Sequence, residues 1–175
     1  TFEKDILKFS KKYICFNALH GPFGEDGKIQ KILKNNKFKV THSNKISSMN
    51  CFNKVKSKKI INRSKIATPK YYVVKIRDIN EKYLNKIKIK FGKFIIKPAS
   101  SGSSNGLAII KSKKDLIIFC ESFKKFSSCF NVNEKFLIEK YISGKELTVS
   151  VMEIGDIPKS LEVTEIISLN KFYDY

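Results

Sequence analysis

The sequence has 175 residues, 42% of them apolar and 12% aromatic, which is enough for a packed core in one or two domains and excludes a disordered chain. Its 35 basic and 16 acidic residues give a formal charge of +19, but the lysines are spread along every segment and only Arg63 and Arg77 are arginines. That distribution reads as solvated faces and not as a nucleic-acid footprint, and no apolar run approaches the roughly 18 to 20 residues that cross a bilayer.

In chain order, KYICFNAL (12–19) reads as a short strand, HGPFGEDG as a turn-rich loop and IQKILKNN as a helix. A strand around FKV (38–40) follows, then two lysine-rich amphipathic helices over 44–51 and 53–64, the second stopped at Thr68-Pro69. YYVV (71–74) is a strand, and the charged stretch from Asp78 to Lys90 a surface helix. The rest alternates more densely: strand KFIIKP, a Gly/Ser loop, strand LAIIKS, helix KKDLIIFCESFKKF, strand FLIEKYI, strand ELTVSVMEI and a last strand near SLEVTEII. The mix predicts the tail of an α/β unit followed by an α+β unit whose antiparallel sheet carries helices on one side. The first residues lack a signal-peptide pattern. The opening Thr1 and the closing KFYDY both read as truncations. The cysteines Cys15, Cys51, Cys120 and Cys129 show no CxxC spacing, so reduced thiols are expected, and a zinc site would need closer pairing with His20 or His42.

Three segments can carry chemistry. In IIKPASSGSSNGLAIIK (95–111), Lys97 ends a strand and precedes a loop with Gly102, Gly106 and four serines. Backbone N–H groups and hydroxyls there suit a phosphate, although a plain hairpin connection has the same composition. The loop is not a Walker loop, which runs GxxxxGK[ST] from strand into helix. In FLIEKYISGKELTVSV (136–151), Glu139 and Glu146 flank a turn at Ser143-Gly144; they suit an exocyclic amine and a ribose, or are solvent-facing glutamates at a hairpin. In ALHGPFGEDG (18–27), His20 and Glu25 lie before a helix N-terminus that favours anions such as a substrate carboxylate; the alternative is a helix cap by Asp26 with an incidental histidine.

Together these segments resemble the D-alanine:D-alanine ligase family. HGPFGEDGKIQ is similar to the family's HGxxGEDGxIQ, KPASSGSSNG to its KPxxxGSSxG, LIEKYISGKELTV to its LxEKxxxGxELTV, and the final FYDY to its FYDY segment. The resemblance implies an ATP-grasp fold, truncated at both ends. Residues 1–51 would be the closing part of an N-terminal α/β domain, 52–143 the central domain with its phosphate lid, and 144–175 the start of the C-terminal domain.

It also implies an ADP-forming ligase that joins two D-alanines through an acyl phosphate, for peptidoglycan precursors in the cytoplasm, with ATP and Mg2+ as cofactors and a homodimer as the assembly. By position, Lys97 and Lys54 match phosphate contacts, and Ser103 and Ser104 the loop serines, the first of which also orients the substrate. Glu139, Lys140 and Ile142 match the adenine hinge, Glu146 the ribose carboxylate and Phe172 an aromatic near the nucleotide. His20 and Glu25 match the loop beside the first D-alanine, with His20 acting at the acyl phosphate. Ser100, Ser101, Asn105 and Asn53 depart from the family pattern, in which Arg-Glu occupies the first pair of positions and Asp the last. The family's magnesium ligands and second-substrate groups lie beyond FYDY, so no metal ligand is assigned and residues 1–175 alone are expected not to turn over. A related ligase using D-lactate or D-serine, and a basic nucleic-acid-binding domain without catalysis, are the alternatives.

Overall fold

Gly27 takes φ 91°, a left-handed conformation that side chains resist, and a Cβ there would lie 2.7 Å from the Lys45 carbonyl oxygen. In the computed structural model, which describes residues 2–102 and 106–167, this glycine opens the helix Lys28–Asn35. That helix is α2; before it come helix α1 (Phe2–Ile6) and strand β1 (Ile14–Cys15), and after it strand β2 (Lys39–Val40). β1 and β2 pair in parallel, Ile14 opposite Lys39 and Cys15 opposite Val40, over a small core of Ile29, Leu33 and Phe38. The strand expected over 12–19 is thus confined to Ile14–Cys15, because Tyr13, Ile14 and Phe16 stay exposed and only β2 pairs with it among the described residues. Helix α1 was not foreseen: five residues hold too little periodicity to be read.

Asn44 caps helix α3 (Lys45–Phe52) by accepting from the Ile46 and Ser47 amides. Asn53 ends that helix in an extended conformation and caps helix α4 (Lys54–Arg63) by accepting from Lys56 N. One asparagine therefore breaks a lysine-rich run into two helices. The expected amphipathicity fails for α3, which buries none of its residues.

Strands β3 (Tyr71–Lys75), β4 (Phe94–Pro98), β5 (Ala108–Ile110) and β6 (Lys135–Lys140) form an antiparallel sheet in the order β3-β6-β4-β5. Between β3 and β4 lies helix α5 (Glu81–Phe91), and between β5 and β6 helix α6 (Lys113–Phe126). The pleat sends Val74, Phe94, Ile96, Phe136 and Ile138 into one cluster with Leu84, Ile87 and Phe91 of α5 and Leu116, Phe119 and Phe123 of α6. Each such side chain contributes about 1.5 to 3 kcal/mol on burial, and Phe123 meets Phe136 edge-on at 5.6 Å. α5 is therefore half a core helix and not a purely surface one; it begins at Glu81, and Asp78, where the helix was expected to start, instead closes the 3₁₀ turn Ile76–Asp78.

The chain divides into two compact units, Thr1–Tyr141 and Ile142–Tyr175. Among its described residues the second holds strands β7 (Glu146–Ile154) and β8 (Ile157–Ile166), joined at Gly155-Asp156, both at positive φ as a two-residue hairpin requires. That turn starts the last strand earlier than SLEVTEII suggests. No helix among the described residues is long and apolar enough to cross a membrane.

Candidate functional site

Alternation along β4 and β6 that packs Ile96 and Ile138 against the helices turns Lys97 and Glu139 to the opposite face of the sheet. Glu139 stands in register with Ile95 on one side and Tyr71 on the other, which makes Lys97 its diagonal neighbour. The Lys97 ammonium meets Glu139 Oε2. Lys58, from the middle of α4, meets Glu139 Oε1 at 2.5 Å, donates to Thr68 Oγ1 at 2.5 Å and to Pro69 O at 3.3 Å, and lies 4.9 Å above the Tyr71 ring. Both Lys58 and Glu139 are 6% exposed. Glu139 is therefore neither solvent-facing nor free.

Lys54 begins α4 one turn before Lys58, so both leave the same side of the helix. Its amide donates to Ala99 O at 2.8 Å and its ammonium to Ser101 O at 2.6 Å, which ties α4 to the strand end and to the Gly/Ser loop. Asn53 Nδ2 adds a bond to Ser100 Oγ at 2.9 Å, so two of the departures from the family pattern face each other.

Burial lowers the Lys54 pKa, the Lys97 charge lowers it further, and Glu139 and Glu25 oppose both. Burial alone would push the Glu139 carboxyl up, but hydrogen bonds and charge from Lys58 and Lys97 hold it below the usual carboxylate range. Three ammonium groups around one buried carboxylate leave an excess of positive charge beside the loop, an arrangement suited to a polyanion.

The loop before α2 reaches the same place. Glu25 Oε2 accepts from Gly21 N at 2.6 Å, and the Glu25 amide returns a bond to Gly21 O at 2.9 Å. Asn17 and Gln30 both donate to Gly24 O, and a Cβ on Gly24 would stand 2.5 Å from Leu19 O, so the turn is close-packed. A Cβ on Gly102 would come within 3.1 Å of Glu25 Oε2. The two loops thus share a cleft of about 610 Å³ with His20, Glu25, Gln30, His42, Lys54 and Ser101 on its walls. Gly27 holds the N-cap without a side-chain bond, while Asp26 beside it accepts from Lys28 N at 3.1 Å and pairs with the Lys28 ammonium at 2.9 Å; burial pushes the Asp26 pKa up, but its bonds to Lys28 and Phe23 outweigh that and lower it. His42 was not singled out as a site residue: both ring nitrogens are buried without a hydrogen-bond partner among the described residues, and burial lowers its pKa.

The structure brings His20, Glu25 and Lys54 around one cleft, and links Lys54 electrostatically to Lys97 and Glu139. Lys140 ends β6, exposed, with its amide on Lys70 O. Ile142 and Glu146 belong to the second unit, where both are exposed and Glu146 pairs with Ile166. Ser103, Ser104, Asn105 and Phe172 lie outside the described residues. Lys58 was missed, although its position one turn after Lys54 is a signal the sequence carries. Among the described residues no group of three or more His, Cys, Asp or Glu could hold a metal ion. The described cysteines are free thiols.

A family model described as "D-ala D-ala ligase C-terminus" matches residues 60–175. The D-alanine–D-alanine ligase of Wolbachia pipientis wMel is 40% identical over 169 residues, covering 97% of this chain and 49% of the relative. Among solved structures, a Bacillus anthracis D-alanine–D-alanine ligase complexed with ATP is 30% identical with a TM-score of 0.69, over 97% of this chain and 53% of that one. The VanG D-Ala:D-Ser ligase of Enterococcus faecalis is 29% identical with a TM-score of 0.72, over 93% of this chain and 45% of that one. The chain spans about half the length of the curated relatives it matches.

Proposed function

Because the chain belongs to the D-alanine–D-alanine ligase family and has its ATP-grasp fold, we propose that it contributes the phosphate-binding side of an ATP-dependent ligase that joins two D-alanines. The observation that carries this is the cluster of Lys54, Lys58 and Lys97 about Glu139, beside the loop that starts at Ala99. In this reading the carboxylate oxygen of the first D-alanine attacks the γ-phosphorus of ATP, the bond to the β-phosphate oxygen breaks, and ADP leaves with the electron pair. The amine of the second D-alanine then attacks the acyl carbon, phosphate departs, and the amine loses a proton.

Lys97 and Lys54 hold phosphoryl oxygens as point charges, a fixed electrostatic arrangement that needs no reorganisation as charge moves. Ser103 and Ser104 supply loop donors, and His20 and Glu25 border the first amino acid, His20 beside its acyl phosphate. By resemblance to the family, Glu139, Lys140 and Ile142 match the adenine hinge, largely through backbone groups, Glu146 the ribose carboxylate and Phe172 an aromatic near the nucleotide. Magnesium, which the family resemblance implies, would supply neutralising charge at the phosphates. The product serves peptidoglycan precursors in the cytoplasm, and the enzyme is a homodimer. D-serine as second substrate, which the VanG likeness favours, is the second reading.

ATP and an RNA oligonucleotide, each titrated into the chain at several salt concentrations, test the proposal against a basic nucleic-acid binder. ATP should bind more tightly than RNA, be displaced by ADP and lose little affinity with salt. RNA binding more tightly, with the steep salt dependence of counterion release, contradicts it.

A further inference from the structure

Glu139 has two lysine partners that differ in their surroundings. The side chains of Lys58 and Glu139 are each 8% exposed, that of Lys97 23%. Lys58 is also fully engaged: its three N–H donors match Glu139 Oε1, Thr68 Oγ1 and Pro69 O. Lys97 stands at the strand end next to the Gly/Ser loop, with Glu139 Oε2 as its described acceptor. Were Lys97 the sole counter-ion, moving its ammonium to a phosphate would strand a buried carboxylate next to a polyanion.

We propose that Lys58 is a positioning residue, the fixed counter-ion of Glu139, which leaves Lys97 free to pass from Glu139 to a phosphate of the nucleotide. The hand-over rests on the nucleotide reading given above; the anchoring of Glu139 does not. Tyr71 lies under Lys58, and Lys54 and Lys97 are the other charges that act on the carboxylate. An anion between Lys54 and Lys97 also relieves their mutual repulsion, so the transfer gains on both sides.

Two measurements on the full chain test this. In the ligand-free protein with 13C-labelled glutamate, the Glu139 carboxyl titration is followed in wild type, Lys58→Met, Lys58→Arg and Lys97→Met. Lys58→Met should raise the Glu139 pKa more than Lys97→Met does, and Lys58→Arg should keep it low; an equal or larger rise in Lys97→Met overturns the anchoring. In labelled wild-type protein, which does not depend on the variants folding, ATP or inorganic triphosphate should shift the Lys97 side-chain resonance and leave that of Lys58 in place. Movement of both overturns the proposal. If neither moves, the nucleotide reading and the hand-over fall together, while the glutamate titration still decides the anchoring.

Discussion

Glu139 ties the site to the fold through charge. Its carboxyl is held below the usual range, so its protonation state differs between folded and unfolded chains only on the acid side. The pairing contributes stability that is fully present above the unfolded carboxylate pKa and is lost as pH falls through the lower folded value. Glu139→Gln removes that dependence and leaves Lys58 and Lys97 facing each other without a counter-charge. It should therefore destabilise the chain at neutral pH by roughly 3 kcal/mol, the scale for breaking a buried pair. Urea unfolding of both proteins between acid and neutral pH checks this, with the difference shrinking toward acid; a constant difference would contradict it. The residue types at this site were readable where a motif fixed them: Lys97 by the loop after it, and His20 and Glu25 by their glycines. The inward turn of the Glu139 side chain was not, because the strand's alternation says which face a residue takes and not what lies over that face. Lys58 and its partners Thr68 and Pro69 are ten or eleven residues apart and meet only when α4 folds over the sheet.

At the scale of elements, α6 has the strongest local specification. Ser112 Oγ accepts from Asp115 N at 3.1 Å while Asp115 Oδ2 accepts from Ser112 N at 2.7 Å, a reciprocal capping box that also takes up the Lys111 amide. Ser112→Ala should cost about 1 kcal/mol in denaturant unfolding; a loss under about 0.3 kcal/mol would mean the cap is replaced by water. This helix and β7 were legible to the residue, since each combines a clear period with turn residues at both ends. β1 was over-extended because KYICFNAL is mostly apolar, and a run without alternation does not show how much of it pairs. α5 was taken as a surface helix because the stretch from Asp78 to Lys90 is rich in charge, yet Leu84, Ile87 and Phe91 at intervals of three and four suffice to bury one side.

For the whole molecule, the antiparallel sheet with its helices followed from the order of elements, but the strand order β3-β6-β4-β5 did not, since it places β6 between two strands that precede it in the chain. The main hydrophobic core lies wholly within the first unit, so residues 1–141 should unfold in a single cooperative urea transition with the midpoint of the full chain's main transition. Loss of cooperativity on removing 142–175 would contradict that independence. The +19 charge matters for nucleotide binding, because many lysines attract any phosphate weakly and only a placed one discriminates. The most direct test is ATP affinity at fixed salt for Lys97→Ala beside Lys124→Ala, an exposed lysine in the last turn of α6. Losing one charge-assisted contact should weaken binding about tenfold or more in Lys97→Ala. Lys124→Ala should change it less than about threefold. Equal losses in the two variants would mean that diffuse charge, and not the site built around Glu139, holds the nucleotide.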